Sequence, residues 1–221
     1  MKAVVITLLD NAYSVRCAEK CVESAKKFDI KVEIMAACNA SQVDVHKIFA
    51  SHGLPSKNFY DKWSRTDKAM ACFFSHYSAW ALAEAIKEPL LILEHDAVFK
   101  KPVDLDSLVF DSIINLGKPS YGRFSAPIEK DKTGVRPFFS NPSGYLKGAH
   151  AYIVKPDAAT KMIKLAKEMA GPADLYISTQ NFHDLAEYYP WPVVVEESAT
   201  TVQQEAGSKA KHAYGKNYKV I

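Results

Sequence analysis

The chain has 221 residues, 48% hydrophobic and 24% charged, with a net charge of +3. This is the make-up of a globular domain with a substantial core. A charge of +3 does not by itself argue for a nucleic-acid partner. No run approaches the roughly 18 apolar residues of a membrane span, and nothing in the composition suggests a repeat or a low-complexity tract.

In chain order, "KAVVITLL" (2–9) is β-branched and apolar and predicts a buried parallel strand. The run stops at Asp10 and Asn11, too early for the apolar core of a signal peptide. Residues 12–28 have helical spacing, with Val15, Ala18, Cys21 or Val22, Ala25 and Phe28 on one face. "IKVEIMAA" (30–37) reads as a second strand, so the chain opens β–α–β, with no GxGxxG after the first strand. A short helix is expected in "SQVDVHKIFASHG", with Ser41 as its N-cap and Gly53 past its end. Residues 66–88 form the strongest helix, with a stripe of Met70, Phe73 or Phe74, Tyr77 and Ala81, and Pro89 closing it.

The strand "LLILE" follows at once. Further strands are expected at 119–124 and 148–154, then a helix at 156–171 that has Pro near its start and Gly at its end. "ADLYISTQNFHDLAEYY" predicts another helix and "WPVVVEE" a late strand. The basic, aromatic stretch from Gly207 onward has no periodicity and predicts a tail or flap. Strands alternating with helices argue for α/β architecture with a mostly parallel sheet. Ligands of such sheets bind outside the carboxyl ends of strands. Cys17, Cys21, Cys38 and Cys72 form no CxxC pair and no zinc-like set, and predict reduced, mostly buried thiols of a cytoplasmic protein.

One such strand end carries Glu94-His95-Asp96 directly after five apolar residues. Alternation along a strand points Glu94 and Asp96 the same way. Two carboxylates facing one space repel unless a cation or proton lies between them. A divalent ion, Mg²⁺ or Mn²⁺, would resolve this and could also hold phosphate oxygens.

"ILEHDAVF" resembles the LEDDV signature of glycosyltransferase family 25, the lipooligosaccharide and procollagen galactosyltransferase group. "ACFFSHYSAW" (71–80) is similar to that family's Gly-Cys-x-x-Ser-His-x-x-x-Trp segment. The opening "VVITLLDNAYSVR", "GAHAYIVKPDAATKMI" and "GPADLYIS" resemble further family segments in the same order. Three positions depart from the pattern: His95 stands for the middle Asp, Ala71 for Gly, and His150 for Thr.

The resemblance implies a GT-A fold: a Rossmann-like nucleotide-binding half (about 1–100) fused to a smaller acceptor-binding half (about 101–205), with a basic tail at 206–221. It implies Mn²⁺ or Mg²⁺ held by Glu94 and Asp96, and a UDP-sugar donor. Asp10, Asn11, Arg16, Ser75, His76 and Glu94 are the candidate donor contacts. Asp174 is the candidate acceptor-side general base, with His150, Asp184 and His183 competing for the role. Lys147, Arg123 and the tail residues Lys209, Lys211, His212 and Lys216 are candidate phosphate contacts, or a solvated charged face.

The function this implies is metal-dependent sugar transfer to a hydroxyl of a lipooligosaccharide or other glycan. The compartment implied is the cytoplasm, including the inner membrane surface or, for a viral chain, the host cytoplasm. One alternative is a phage-type DNA glycosyltransferase that acts on a hydroxymethylated base. Another is a non-catalytic nucleotide-sugar or glycan-binding protein, with His95 marking a degraded site.

Overall fold

The computed structural model describes residues 1–61, 64–121, 133–138, 143–196, 199–203 and 219–220. Arg123, Lys209, Lys211, His212 and Lys216 lie outside them. The elements are β1 (Lys2–Thr7), α1 (Ala12–Lys26), β2 (Glu33–Ala36), α2 (Val45–Ser51), α3 (Thr66–Ile86), β3 (Leu90–Glu94) and β4 (Ala97–Phe99). Then come β5 (Ile113–Asn115), β6 (Gly134–Pro137), β7 (Ala151–Val154), α4 (Pro156–Met169), α5 (Ala173–Tyr176), β8 (Ala186–Tyr189), β9 (Val193–Val195), β10 (Ala199–Thr200) and β11 (Lys219–Val220).

Seven strands form one sheet in the order β2-β1-β3-β7-β5-β8-β6. The pairs β1–β2, β1–β3 and β5–β8 are parallel, whereas β7 runs against both its neighbours and β6 against β8. The other five strands therefore share one direction, and the sheet is largely parallel. β4 and β9 form a separate antiparallel pair, and β10 and β11 a parallel one.

The central strands read as unbroken apolar runs because both of their faces are covered. Alternation along β3 sends Leu90 and Ile92 into the core under α2, α3 and α4, and Leu91 and Leu93 into the core on the α1 side. The same rule places Glu94 on the α3 side, where the site forms. β7 divides likewise, with Tyr152 and Val154 toward α3, and Ala151 and Ile153 away from it. α3 is apolar nearly all round, and its buried residues include Met70, Phe73, His76, Tyr77 and Trp80. It ends at Lys87, which adopts a left-handed conformation (φ 56°) ahead of Pro89.

The structure corrects several expectations. Asp44, not Ser41, caps α2, its carboxylate accepting from the Lys47 amide. Ala81 is exposed; Trp80 and Ala83 take the buried face of α3 instead. No strand forms at 119–121, and 122–124 lie outside the described residues; the strand in this region is β5. Its Ile113-Ile114 pair has the β-branched shape a buried strand favours.

The helix expected over 173–189 stops after one turn, and the last four residues of that segment are β8. Ser178 breaks it by bonding locally: its hydroxyl accepts from the Asn181 amide and its carbonyl from the Phe182 amide. Asn181 also donates its side-chain N–H to the Tyr176 carbonyl, closing the helix end.

Candidate functional site

Two cavities open at the carboxyl ends of β1, β2 and β3 and share a wall made by Cys72, Glu94 and His95. The larger, about 180 Å³, is also lined by Asp96, Ser120, Tyr121, Gly148, Asp174 and the segment 199–203. The smaller, about 80 Å³, lies between Ile6 and Leu8 at the end of β1, residues 37–40 after β2, and Lys68, Ser75 and His76 of α3. Residues 201 and 202 border both. Arg65 holds them in place, donating Nη2–H to the Thr201 carbonyl (2.6 Å) and its backbone N–H to that of Val202 (2.9 Å).

Glu94 is fixed by a directed chain of hydrogen bonds. The Trp80 indole can only donate, and its Nε1–H reaches the Tyr152 hydroxyl at 2.8 Å. The Tyr152 hydroxyl lies 2.9 Å from His76 Nδ1, and because the Glu94 carboxylate on the other ring nitrogen can only accept, Nδ1 of the neutral ring accepts the Tyr152 proton. This leaves the His76 proton on Nε2, which donates to Glu94 Oε1 at 3.0 Å. Trp80, Tyr152 and His76 are all fully buried.

Burial works to raise the Glu94 carboxyl. The hydrogen bond from His76, the largest of the opposing pulls, outweighs it with its neighbours and holds the group below the ordinary carboxylate range. Glu94 is therefore kept as an acceptor-only anion.

Asp96 lies just past the strand, in the turn His95-Asp96 between β3 and β4. The simple alternation argument for the two acids does not apply across that turn, yet both line the larger cavity. Asp174 stands in the first turn of α5 on the same cavity and accepts from the Tyr121 hydroxyl. Burial raises its carboxyl; the Tyr121 bond works against this and the Glu94 charge adds to it, with a net upward shift. The cavity thus holds two acids pushed in opposite directions, the pattern that separates an ionic role from a proton-handling one.

The other predicted residues are placed differently. Ser75 lines the smaller cavity, but its hydroxyl is engaged: it donates to the Ala71 carbonyl and accepts from the Cys38 amide, tying α3 to the end of β2. Asn11 caps α1, its side-chain oxygen accepting from the Tyr13 and Ser14 amides. Exposed Asp10 accepts from Asn39 and Gln42, and exposed Arg16 lies over the Tyr13 ring. None of these three lines either cavity. Asp184 accepts from the Ser112 hydroxyl, His183 is exposed, and Lys147 is half-buried; all three lie outside both cavities.

His150 is buried and lines neither cavity. It packs against two glycines. A Cβ at Gly117 would come within 2.5 Å of its Nε2, and one at Gly148 within 3.0 Å of its Nδ1. Burial brings its imidazole down to about 4, against smaller upward pulls from Glu94 and the Val193 backbone.

A depressed folded value means stability that is complete above the unfolded value of 6.5 and is lost as pH falls toward about 4. The gap corresponds to about 3 kcal/mol. Urea midpoints should therefore fall between pH 7 and pH 4, and a His150→Asn variant should show a visibly smaller fall. An equal fall in both proteins would remove His150 as the cause.

Sequence reasoning did not single out Cys72, Trp80, Tyr121, Tyr152 or Lys68. Cys72, Trp80 and Tyr152 lie inside the quoted segments "ACFFSHYSAW" and "GAHAYIV". A Tyr and a Trp at core positions need hydrogen-bond partners, which was the available signal. Cys17 and Cys21 are buried in the core, with Cys21 pushed up to about 12 by burial and, in second place, by the Asp96 charge. The Cys72 thiol is raised by burial and by the charges of Glu94, Asp174 and Asp96.

Residues 16–105 match the model of glycosyltransferase family 25 (LPS biosynthesis protein). That span holds α1 from Arg16 onward, α3, β3 and the turn with Asp96, and so Cys72, Glu94 and His95 of the wall between the cavities. Over these residues the chain is similar to glycosyltransferase family 25. No curated protein matches its sequence.

Among solved structures, A197 from STIV aligns with this chain at 11% identity over 85% of this chain and 81% of its own, with a TM-score of 0.42. The galactosyltransferase LgtC, solved with donor and acceptor sugar analogues, aligns at 14% identity over 85% of this chain and 73% of its own, with a TM-score of 0.43. Among the described residues no helix is long and apolar enough to cross a membrane.

Proposed function

We propose that the protein transfers a sugar from a UDP-sugar to a hydroxyl of a glycan, with lipooligosaccharide as the leading acceptor class. The observation that carries this is the position of Glu94 and Asp96, on a cavity at strand carboxyl ends and beside a second cavity. In this reading the architecture is of GT-A type, with a donor half over about 1–100, an acceptor half over about 101–205 and a basic tail at 206–221. The smaller cavity takes the nucleoside. The diphosphate lies at the shared wall, and the transferred sugar and the acceptor occupy the larger cavity.

The residues fit a hard divalent ion, Mn²⁺ or Mg²⁺. Two carboxylates line one cavity, and the His76 bond to Glu94 uses Oε1, not Oε2. Glu94 and Asp96 would hold the ion, which when bound would neutralise charge on the departing diphosphate. The chain's own residues do the remaining work. His76, fixed by Tyr152 and Trp80, orients Glu94. Asp174, with its raised carboxyl, takes the proton of the acceptor hydroxyl. The segment 199–203 screens the cavity from water. Four free cysteines are consistent with a cytoplasmic setting.

A panel of nucleotide-sugars with Mn²⁺, read by release of the nucleoside diphosphate, tests this reading. The expected result is turnover with a uridine donor that stops when a chelator is added. Release from purine donors only, or full activity with chelator, contradicts it.

A further inference from the structure

We propose that Cys72, His76 and Glu94 form a second, softer metal site, selective for Zn²⁺-class ions, whose occupation disables the transfer site. One ligand atom from each residue lies within 4.8 Å of the other two. A tetrahedral ion bonding sulfur at about 2.3 Å and nitrogen at about 2.0 Å needs its ligand atoms about 3.5 Å apart, so binding draws the three side chains together from within that 4.8 Å limit. Cys72 and His76 are four residues apart on α3 and so share a face, and Glu94 reaches them from the end of β3.

A thiol, an imidazole and one carboxylate suit Zn²⁺ or Cd²⁺, whereas Mn²⁺ and Mg²⁺ prefer oxygen throughout. Cys72 and Glu94 border both cavities, so a fourth position faces open space. The orienting partner that metal-binding imidazoles use is also in place, since the Tyr152 hydroxyl lies 2.9 Å from His76 Nδ1.

Binding rearranges protons in a defined way. Cys72 gives up its thiol proton, one per ion. The His76 proton moves from Nε2 to Nδ1 and is donated to the Tyr152 oxygen. That oxygen has lone pairs for both this bond and the Trp80 N–H. Nε2 is then a ligand and its bond to Glu94 is gone. The soft-metal state and the arrangement that orients Glu94 are therefore mutually exclusive. The inhibitory effect rests on the transfer reading above; the binding does not.

The test is a Cd²⁺ titration of the full chain without donor, read by the ultraviolet thiolate-to-cadmium band. One equivalent should saturate the band. Cys72→Ser and Cys72→Ala should lose it, and Cys38→Ser should keep it; Cys38 is the control because it lines the smaller cavity. Tyr152→Phe should weaken Cd²⁺ binding about 10–100-fold. A band that survives in both Cys72 variants, a band lost in Cys38→Ser, or no band at all overturns the proposal. Zn²⁺ should likewise inhibit sugar transfer by the parent protein, and transfer that Zn²⁺ leaves unchanged overturns the inhibitory role. If no donor is ever turned over, the transfer reading fails while the Cd²⁺ result stands separately.

Discussion

Asp96→Asn is expected to lower sugar transfer on the order of 10²–10³-fold with little change in the fold. Asn has the same shape and keeps a carbonyl oxygen toward the cavity, so packing and the β3–β4 turn are preserved. What disappears is one of the two charges that would hold a divalent ion against the diphosphate. The effect should fall mainly on kcat, because the charge being stabilised is greatest as the diphosphate leaves. Steady-state kinetics at saturating Mn²⁺, with circular dichroism as the check on folding, measure it. Activity within a few-fold of the parent would mean that Asp96 only shapes the turn.

Trp80→Ala is expected to give the largest loss of stability. The side chain is fully buried, stacked on Tyr176 at 5.3 Å and edge-on to Phe73 at 5.5 Å. Removing a buried Trp costs about 3–5 kcal/mol. Here the Tyr152 hydroxyl would also lose its donor. For a chain of this size that translates to a fall in Tm on the order of 10 °C. Turnover at low temperature should fall as well, because the bonds that fix His76 and Glu94 begin at this indole. Trp80→Phe keeps most of the ring packing but not the N–H. It should recover much of the Tm and little of the turnover, and equal recovery of both would sever the link between Trp80 and Glu94.

Much of this was legible because the relevant signals are local. The βαβ opening, α3, α4 and the apolar run of β3 follow from periodicity and from Pro and Gly punctuation. The half-buried charges at the end of β3 mark the site in the sequence, because five apolar residues run straight into them. The errors have local physical causes too. The segment 173–189 reads as one helix, but its stretch "DLYIST" is poor in helix formers and Ser178 turns the backbone onto itself after one turn. "SIINL" is too short for its periodicity to stand out, so β5 went unread.

Partnership across the fold was not legible. The pairing of Ile92 with Tyr152 sets the hydroxyl beside His76 and Trp80, a consequence of strand register between segments 60 residues apart in sequence. His150 is the clearest case. A histidine after Gly148-Ala149 in a family-like motif reads as a catalyst, and the structure buries it against two glycines away from both cavities. His76 has the opposite outcome. A helical His, ordinarily a packing residue, is the group that directs Glu94.

The most direct test of the central claim, that Glu94 and Asp96 bind the donor diphosphate through a divalent ion, is calorimetric titration of UDP with Mn²⁺ and with chelator, in the parent and in Asp96→Asn. The account predicts that Mn²⁺ tightens UDP binding at least about tenfold in the parent, which is about 1.4 kcal/mol, and leaves Asp96→Asn unchanged. UDP binding of equal strength with and without Mn²⁺ in the parent, or an undiminished Mn²⁺ effect in Asp96→Asn, would contradict it.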